Sequence, residues 1–120
     1  MTMKSEIKQI ESPDMFCPME QFSPVKDDDF GILLELSIGI EDEEGADLFQ
    51  IMVCTPKWLM EKFGKNNIIV GLHYLIVFKY DYTMIYNKIK ELFCITGNDW
   101  SEISHKLSYY GYWEYQDYRE

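Results

Sequence analysis

Residues 49–64 read FQIMVCTPKWLMEKFG, and the fold turns on how the apolar residues in this stretch are spaced. Phe49, Ile51 and Val53 alternate as one face of a strand does, whereas Trp58, Leu59 and Phe63 recur at helical spacing. The change falls at Thr55-Pro56. A threonine hydroxyl can accept from a free N–H of the first helical turn, and proline suits the first helical position because its missing donor is not needed there. The pair therefore predicts a strand that passes directly into a helix of about two turns. Gly64 is placed to end that helix in the left-handed conformation.

Upstream, Phe30, Ile32, Leu34, Leu36, Ile38 and Ile40 alternate with Gly31, Leu33, Glu35, Ser37 and Gly39, which predicts a strand with one covered face. Glu41 to Ala46 is an acidic, glycine-containing turn, so this strand and residues 47–54 should form an antiparallel hairpin. Residues 3–11 suit an edge strand guarded by Lys4 and Lys8. Pro13, Pro18 and Pro24 make residues 12–29 a long irregular loop. Downstream, the alternation over Ile68 to Tyr80 predicts an interior strand. Asp81 caps a main amphipathic helix carrying Tyr82, Ile85, Tyr86, Ile89, Leu92 and Phe93, with Gly97 as its stop. Asp99 and Glu102 form a capping-box pair opening a third helix with Trp100, Ile103 and Leu107 on its buried side. After Gly111, residues 112–118 are β-prone and would add a last strand, Trp113 and Tyr115 on one face and Tyr112, Glu114, Gln116 and Tyr118 on the other. The expected fold is a single α+β domain over residues 1–120. Its antiparallel sheet carries three short-to-medium helices on one face, in the order β-β-β-α-β-α-α-β.

A chain of 120 residues with 47% hydrophobic and 27% charged residues can build a full core and is not a disordered polymer. The balance of 11 Lys plus Arg against 21 Asp plus Glu leaves a net charge of -10, a field that repels nucleic acid and anionic membranes and attracts basic proteins. Cys17, Cys54 and Cys94 are odd in number and widely spaced, which fits reduced thiols better than a disulfide framework or a zinc site. The N-terminal residues lack an apolar export core, and no run approaches the roughly 18 apolar residues of a membrane span. A cytoplasmic location is expected.

Residues capable of chemistry do not gather into a catalytic pattern. Neither a P-loop, a Rossmann fingerprint, GxSxG nor HExxH occurs, so no cofactor is expected and the chain reads as a non-enzyme. His73 belongs to a sheet face and suits a part-buried, hydrogen-bonded role, and His105 falls opposite its helix's apolar stripe. Glu114 and Asp117 would project to opposite faces of a strand, which keeps them from flanking one substrate. The cysteines suit packing, although Cys54 just before a helix N-terminus is where a thiolate is favoured. Two stretches can meet a partner: the acidic turn Glu41, Asp42, Glu43 and Glu44, and the tail. Between Tyr109 and Tyr118 the tail holds six aromatic residues, more than one short strand can bury.

Several stretches resemble the immunity protein 8 family of bacterial polymorphic-toxin systems. They are Gly45-Ala46-Asp47 with Phe49, VCTPKWL from Val53 to Leu59, GLHYLIVFKYD from Gly71 to Asp81, W-x-E-I-x-x-K-L from Trp100 to Leu107, and the terminal WEYQDY. The family's own ending is closer to WEFEDY, so Tyr115 and Gln116 are departures. The resemblance implies a small cytoplasmic protein that binds and neutralises a cognate toxin, and the acidic charge suits a basic toxin such as a nuclease. Glu41, Asp42, Glu43, Glu44, Tyr112, Glu114, Asp117 and Tyr118 are then the expected toxin contacts. The alternatives are a non-toxin adaptor, or a small-ligand protein or enzyme using His73, Cys54 or Glu114. The oligomeric state stays open between monomer and weak dimer.

Overall fold

The computed structural model describes residues 2–116. Its elements are β1 (Met3–Glu11), β2 (Gly31–Ile40), β3 (Asp47–Cys54), α1 (Pro56–Phe63), β4 (Tyr74–Ile76), α2 (Tyr82–Phe93), β5 (Thr96–Gly97), α3 (Trp100–Leu107) and β6 (Tyr112–Trp113). The sheet runs β4-β3-β2-β1-β5, with β6 also paired to β3. The α+β class is as the pattern predicts.

The antiparallel hairpin forms as expected, and its register sets Gly31 opposite Cys54 through Ile38 opposite Asp47. Its apolar alternation becomes the core. Ile32, Leu34, Leu36, Ile38, Phe49, Ile51 and Val53 are buried against Ile85, Ile89 and Phe93 of α2 and Ile103 and Leu107 of α3. Caps set the helix starts. Thr55 Oγ1 accepts from Trp58 N, Asp81 Oδ1 from Met84 N at 3.1 Å and Asp99 Oδ1 from Glu102 N at 2.8 Å. Thr55 is itself buried and also accepts from Phe30 N at 3.0 Å, so one hydroxyl ties the helix start to the entry of β2. The reach-back of Glu102 lands one residue earlier than a capping box places it, its Oε2 accepting from Asn98 N at 2.8 Å. That bond, and then the Lys106 ammonium, hold the Glu102 carboxyl below its usual range.

The sheet is mixed rather than wholly antiparallel, because β4 runs parallel to β3 with Met52 opposite Tyr74. The cause is α1: a chain that leaves β3 through a helix and returns beside it comes back in the same direction. The expected interior strand over Ile68 to Tyr80 shrinks to the three residues of β4 at the sheet's edge. Alternating apolar residues show that a stretch is able to join a sheet, but pairing also needs a free neighbour. Here β6 takes the earlier part of the same β3 edge, Phe49 opposite Trp113 and Gln50 opposite Tyr112.

The helices also divide differently from the expected single layer. α2 and α3 fill the core, while α1 buries no side chain completely. A Cβ on Gly31 would come within 2.2 Å of the Trp58 ring, and Gly31 has the parity opposite to the core stripe, so α1 lies toward the other face. Gly64 does not take the left-handed turn either. It stays right-handed at φ -57, the chain continues through a 3-10 turn over Gly64–Asn66, and Asn67 supplies the positive φ of 56. Asparagine tolerates that region better than most residues. Gly97, expected as the stop of α2, lies past its end in β5 and pairs with Met3.

Candidate functional site: the acidic hairpin end and its aromatic lock

Glu41, Asp42, Glu43 and Glu44 are all exposed at the β2–β3 turn. Backbone bonds hold the turn in place. Glu41 N donates to Lys4 O at 2.8 Å and Glu43 N to Ile40 O at 3.1 Å, while Lys8 Nζ donates to Glu43 O at 2.9 Å. Asp42 takes a positive φ of 66 and Gly45 one of 96, which lets the turn close tightly. A Cβ on Gly39 would meet the Gly45 carbonyl oxygen at 2.2 Å, so the strand and the turn touch backbone to backbone. Among the described residues no ion pair engages the four carboxylates. They remain available to a partner's cations.

The tail docks on the residues that follow this turn. Asp47 Oδ2 accepts from Trp100 Nε1 at 2.8 Å and from Trp113 Nε1 at 3.0 Å, joining α3 and β6 to the start of β3. Phe49 lies beneath, with its ring stacked on Trp113 at 6.2 Å and edge-on to Trp100 at 6.5 Å. Glu114 clamps the next residue, its N donating to Leu48 O and its Oε1 accepting from Leu48 N, each at 2.9 Å. Gly111 lets the tail come this close, since a Cβ there would stand 3.1 Å from the Phe93 ring.

The acidic turn and the tail are therefore two edges of one surface. Tyr112 reaches the open face of the sheet opposite Gln50, whose Nε2 donates to Glu35 Oε2 at 3.0 Å. Glu114 binds backbone rather than facing a second carboxylate across a site. The predicted long last strand ends at Trp113, and Glu114 to Gln116 turn away from it. β3 begins at Asp47, so pairing has nowhere further to run. Asp117 and Tyr118 lie outside the described residues.

The residues of the enzyme alternative do not converge. Glu114 pairs beside Leu48 and Cys54 ends β3 six positions later, about 20 Å along a strand. His73 Nε2 contacts Ser108 O at 2.9 Å and its ring lies edge-on to Tyr112, the part-buried structural role expected of it. Cys54 is buried, and loss of solvation pushes its thiol up from 9.0 to about 11. Burial thus outweighs the pull of the helix start. At about pH 8 an alkylating reagent should label the exposed Cys17 and leave Cys54 untouched until the protein unfolds, as mass spectrometry of the labelled peptides would show. Among the described residues no cluster could hold a metal ion, and no helix is long and apolar enough to cross a membrane.

Sequence reasoning missed Asp47 as the centre of this lock. No local signal marks it, because its two partners lie 53 and 66 positions away.

The pattern of the Immunity protein 8 family matches residues 5–118, nearly the whole chain. The chain belongs to that family. No curated relative and no solved structure matches it. The residues of the lock, Asp47, Phe49, Trp100, Trp113 and Glu114, all lie within the matched span. Membership implies an immunity protein acting against a toxin, by inhibition rather than catalysis.

Proposed function

We propose that this chain binds and neutralises a cognate toxin of a bacterial polymorphic-toxin system in the cytoplasm, by covering the toxin's working surface. Delivery of that toxin by contact or by secretion fits the reading, and a basic toxin such as a nuclease fits the charge. The observation that carries it, beyond family membership, is the union of four carboxylates without ion pairs among the described residues and an anchored aromatic tail at one end of the sheet. The carboxylates speed encounter with a basic surface, and Tyr112 with the neighbouring rings supplies the desolvated contact.

Co-expression with the toxin encoded beside this gene tests the reading. Growth should be restored and the two proteins should co-purify; a toxin that neither binds nor loses its toxicity removes the proposal. Within a complex, Glu43→Lys with Glu44→Lys should slow association roughly tenfold at low salt and flatten its salt dependence, while leaving the fold intact. Stopped-flow association rates across an ionic-strength series would show this. Unchanged rates would take the turn out of the interface.

A further inference from the structure

The largest concentration of uncovered apolar surface lies at the other end of β3, where the expected interior strand failed to form. Ile68, Val70, Leu72 and Phe78 are 78%, 77%, 68% and 78% exposed, with Met60 at 71% and Ile76 at 49% beside them. A shallow groove of about 410 Å³ between α1 and this segment is lined by Leu59, Met60, Phe63, Ile68 and Ile69. Soluble proteins seldom leave so many large apolar side chains together in water without a partner.

Two further observations define what covers it. First, β4 is the last strand of the sheet on this side. His73 O accepts from Met52 N at 3.0 Å and Val77 N donates to Cys54 O at 2.9 Å, so by strand alternation the N–H and C=O groups of Tyr74 and Ile76 point away from β3. That outward row is a ready edge for another strand. Second, the charge changes here. Residues 56–80 hold four lysines and one glutamate in a chain of net charge -10. Lys57 pairs with Asp28 at 2.6 Å and Lys79 with Asp27 at 3.6 Å, which brings this lobe close to neutrality. Two copies can therefore meet through this lobe without setting surplus carboxylates against each other.

We propose that the α1–β4 lobe is a self-association surface, on which a second copy of this chain pairs its β4 antiparallel to the first about a two-fold axis and buries the apolar segment of each. A patch that is apolar, near neutral and bordered by an open edge is complementary to itself, which a two-fold interface requires. A net-negative chain disfavours the other reading of such a lobe, insertion into an anionic membrane surface. The lobe meets β3 at residues 52–54, about 20 Å along the strand from the acidic turn, so dimerisation would leave that end open.

Sedimentation equilibrium of the full chain, from low to high micromolar concentration and without toxin, tests this. The expected result is a concentration-dependent rise from 14.3 kDa to twice that mass. Val70→Glu with Phe78→Glu should leave circular dichroism unchanged, and the thermal midpoint too at concentrations where the wild type is monomeric, both side chains being exposed, while weakening association about a hundredfold by placing like charges across the axis. Ile76→Pro removes only an outward N–H and should weaken it independently. A wild type that stays monomeric throughout overturns the proposal. So does a dimer that ignores both variants, or a monomer whose variants lose toxin affinity, which would give the lobe to the toxin. Because no toxin enters the sedimentation experiment, its outcome is separate from that of the immunity reading.

Discussion

Phe49→Ala should cost about 4 kcal/mol, the largest effect of any single truncation near the site. Phe49 is fully buried and its ring meets Phe93, Trp100 and Trp113, so one residue joins α2, α3 and β6 to the sheet. Removing it leaves a cavity that rigid neighbours cannot close, since the ring of Trp113 is already tied through its indole N–H. For a domain whose total stability is about 5–15 kcal/mol, a large share disappears. Urea denaturation should show a strongly lowered midpoint with an unchanged slope. A midpoint within experimental error of the wild type would mean that the three aromatic neighbours do not depend on this ring. Toxin binding should weaken as well, because the tail loses the surface on which it stacks.

Asp47→Ala is the second. It deletes the acceptor shared by Trp100 and Trp113 and leaves two half-buried indole donors to find water. A hydrogen bond to a charged group contributes about 1.5–3 kcal/mol, and partial access to water offsets some of the loss, so roughly 3 kcal/mol is expected for the pair. Asp47→Asn keeps one carbonyl oxygen in place and should cost about 1 kcal/mol. Tryptophan fluorescence gives a direct readout, since two of the three tryptophans touch this carboxylate. The alanine variant should shift emission to the red, and the asparagine variant much less. A double-mutant cycle with Trp113→Phe should return a coupling of about 1 kcal/mol or more; additive losses would mean that the carboxylate does not hold the tail.

Both predictions concern a lock that joins residues far apart in the chain, and this separation marks how much a reader of the sequence can see. Thr55-Pro56, Asp81 and Asp99 announced their helices because capping is chemistry between residues three positions apart. The hairpin was legible for the same reason: Phe30 to Ile38 and Phe49 to Val53 carry their buried face in a local period. The acidic turn was visible as composition. Asp47 was not, since its role depends on α3 and β6 arriving at the same carboxylate. The reach-back of Glu102 missed its expected target by one residue, a local detail set by side-chain length and backbone path.

The stretch 68–80 shows the opposite case, where a strong local signal misled. It is the most apolar run of the chain, and by itself it describes an interior strand. Whether a strand forms depends on which edge is vacant when the chain returns, and β6 and β4 share one edge of β3. The apolar residues left over then became surface.

The sequence by itself determined the α+β class, the places where helices begin, the antiparallel hairpin with its buried face and the acidic character of one end, because these follow from local spacing, capping and charge. Its motifs also carried the resemblance to a family whose pattern covers residues 5–118. Only the tertiary structure decided that β4 runs parallel at an edge, that α1 lies away from the core layer, and that Asp47 and Phe49 seize the tail. Each of these depends on which distant segments compete for the same strand edge or the same polar atom, and no local period encodes that competition.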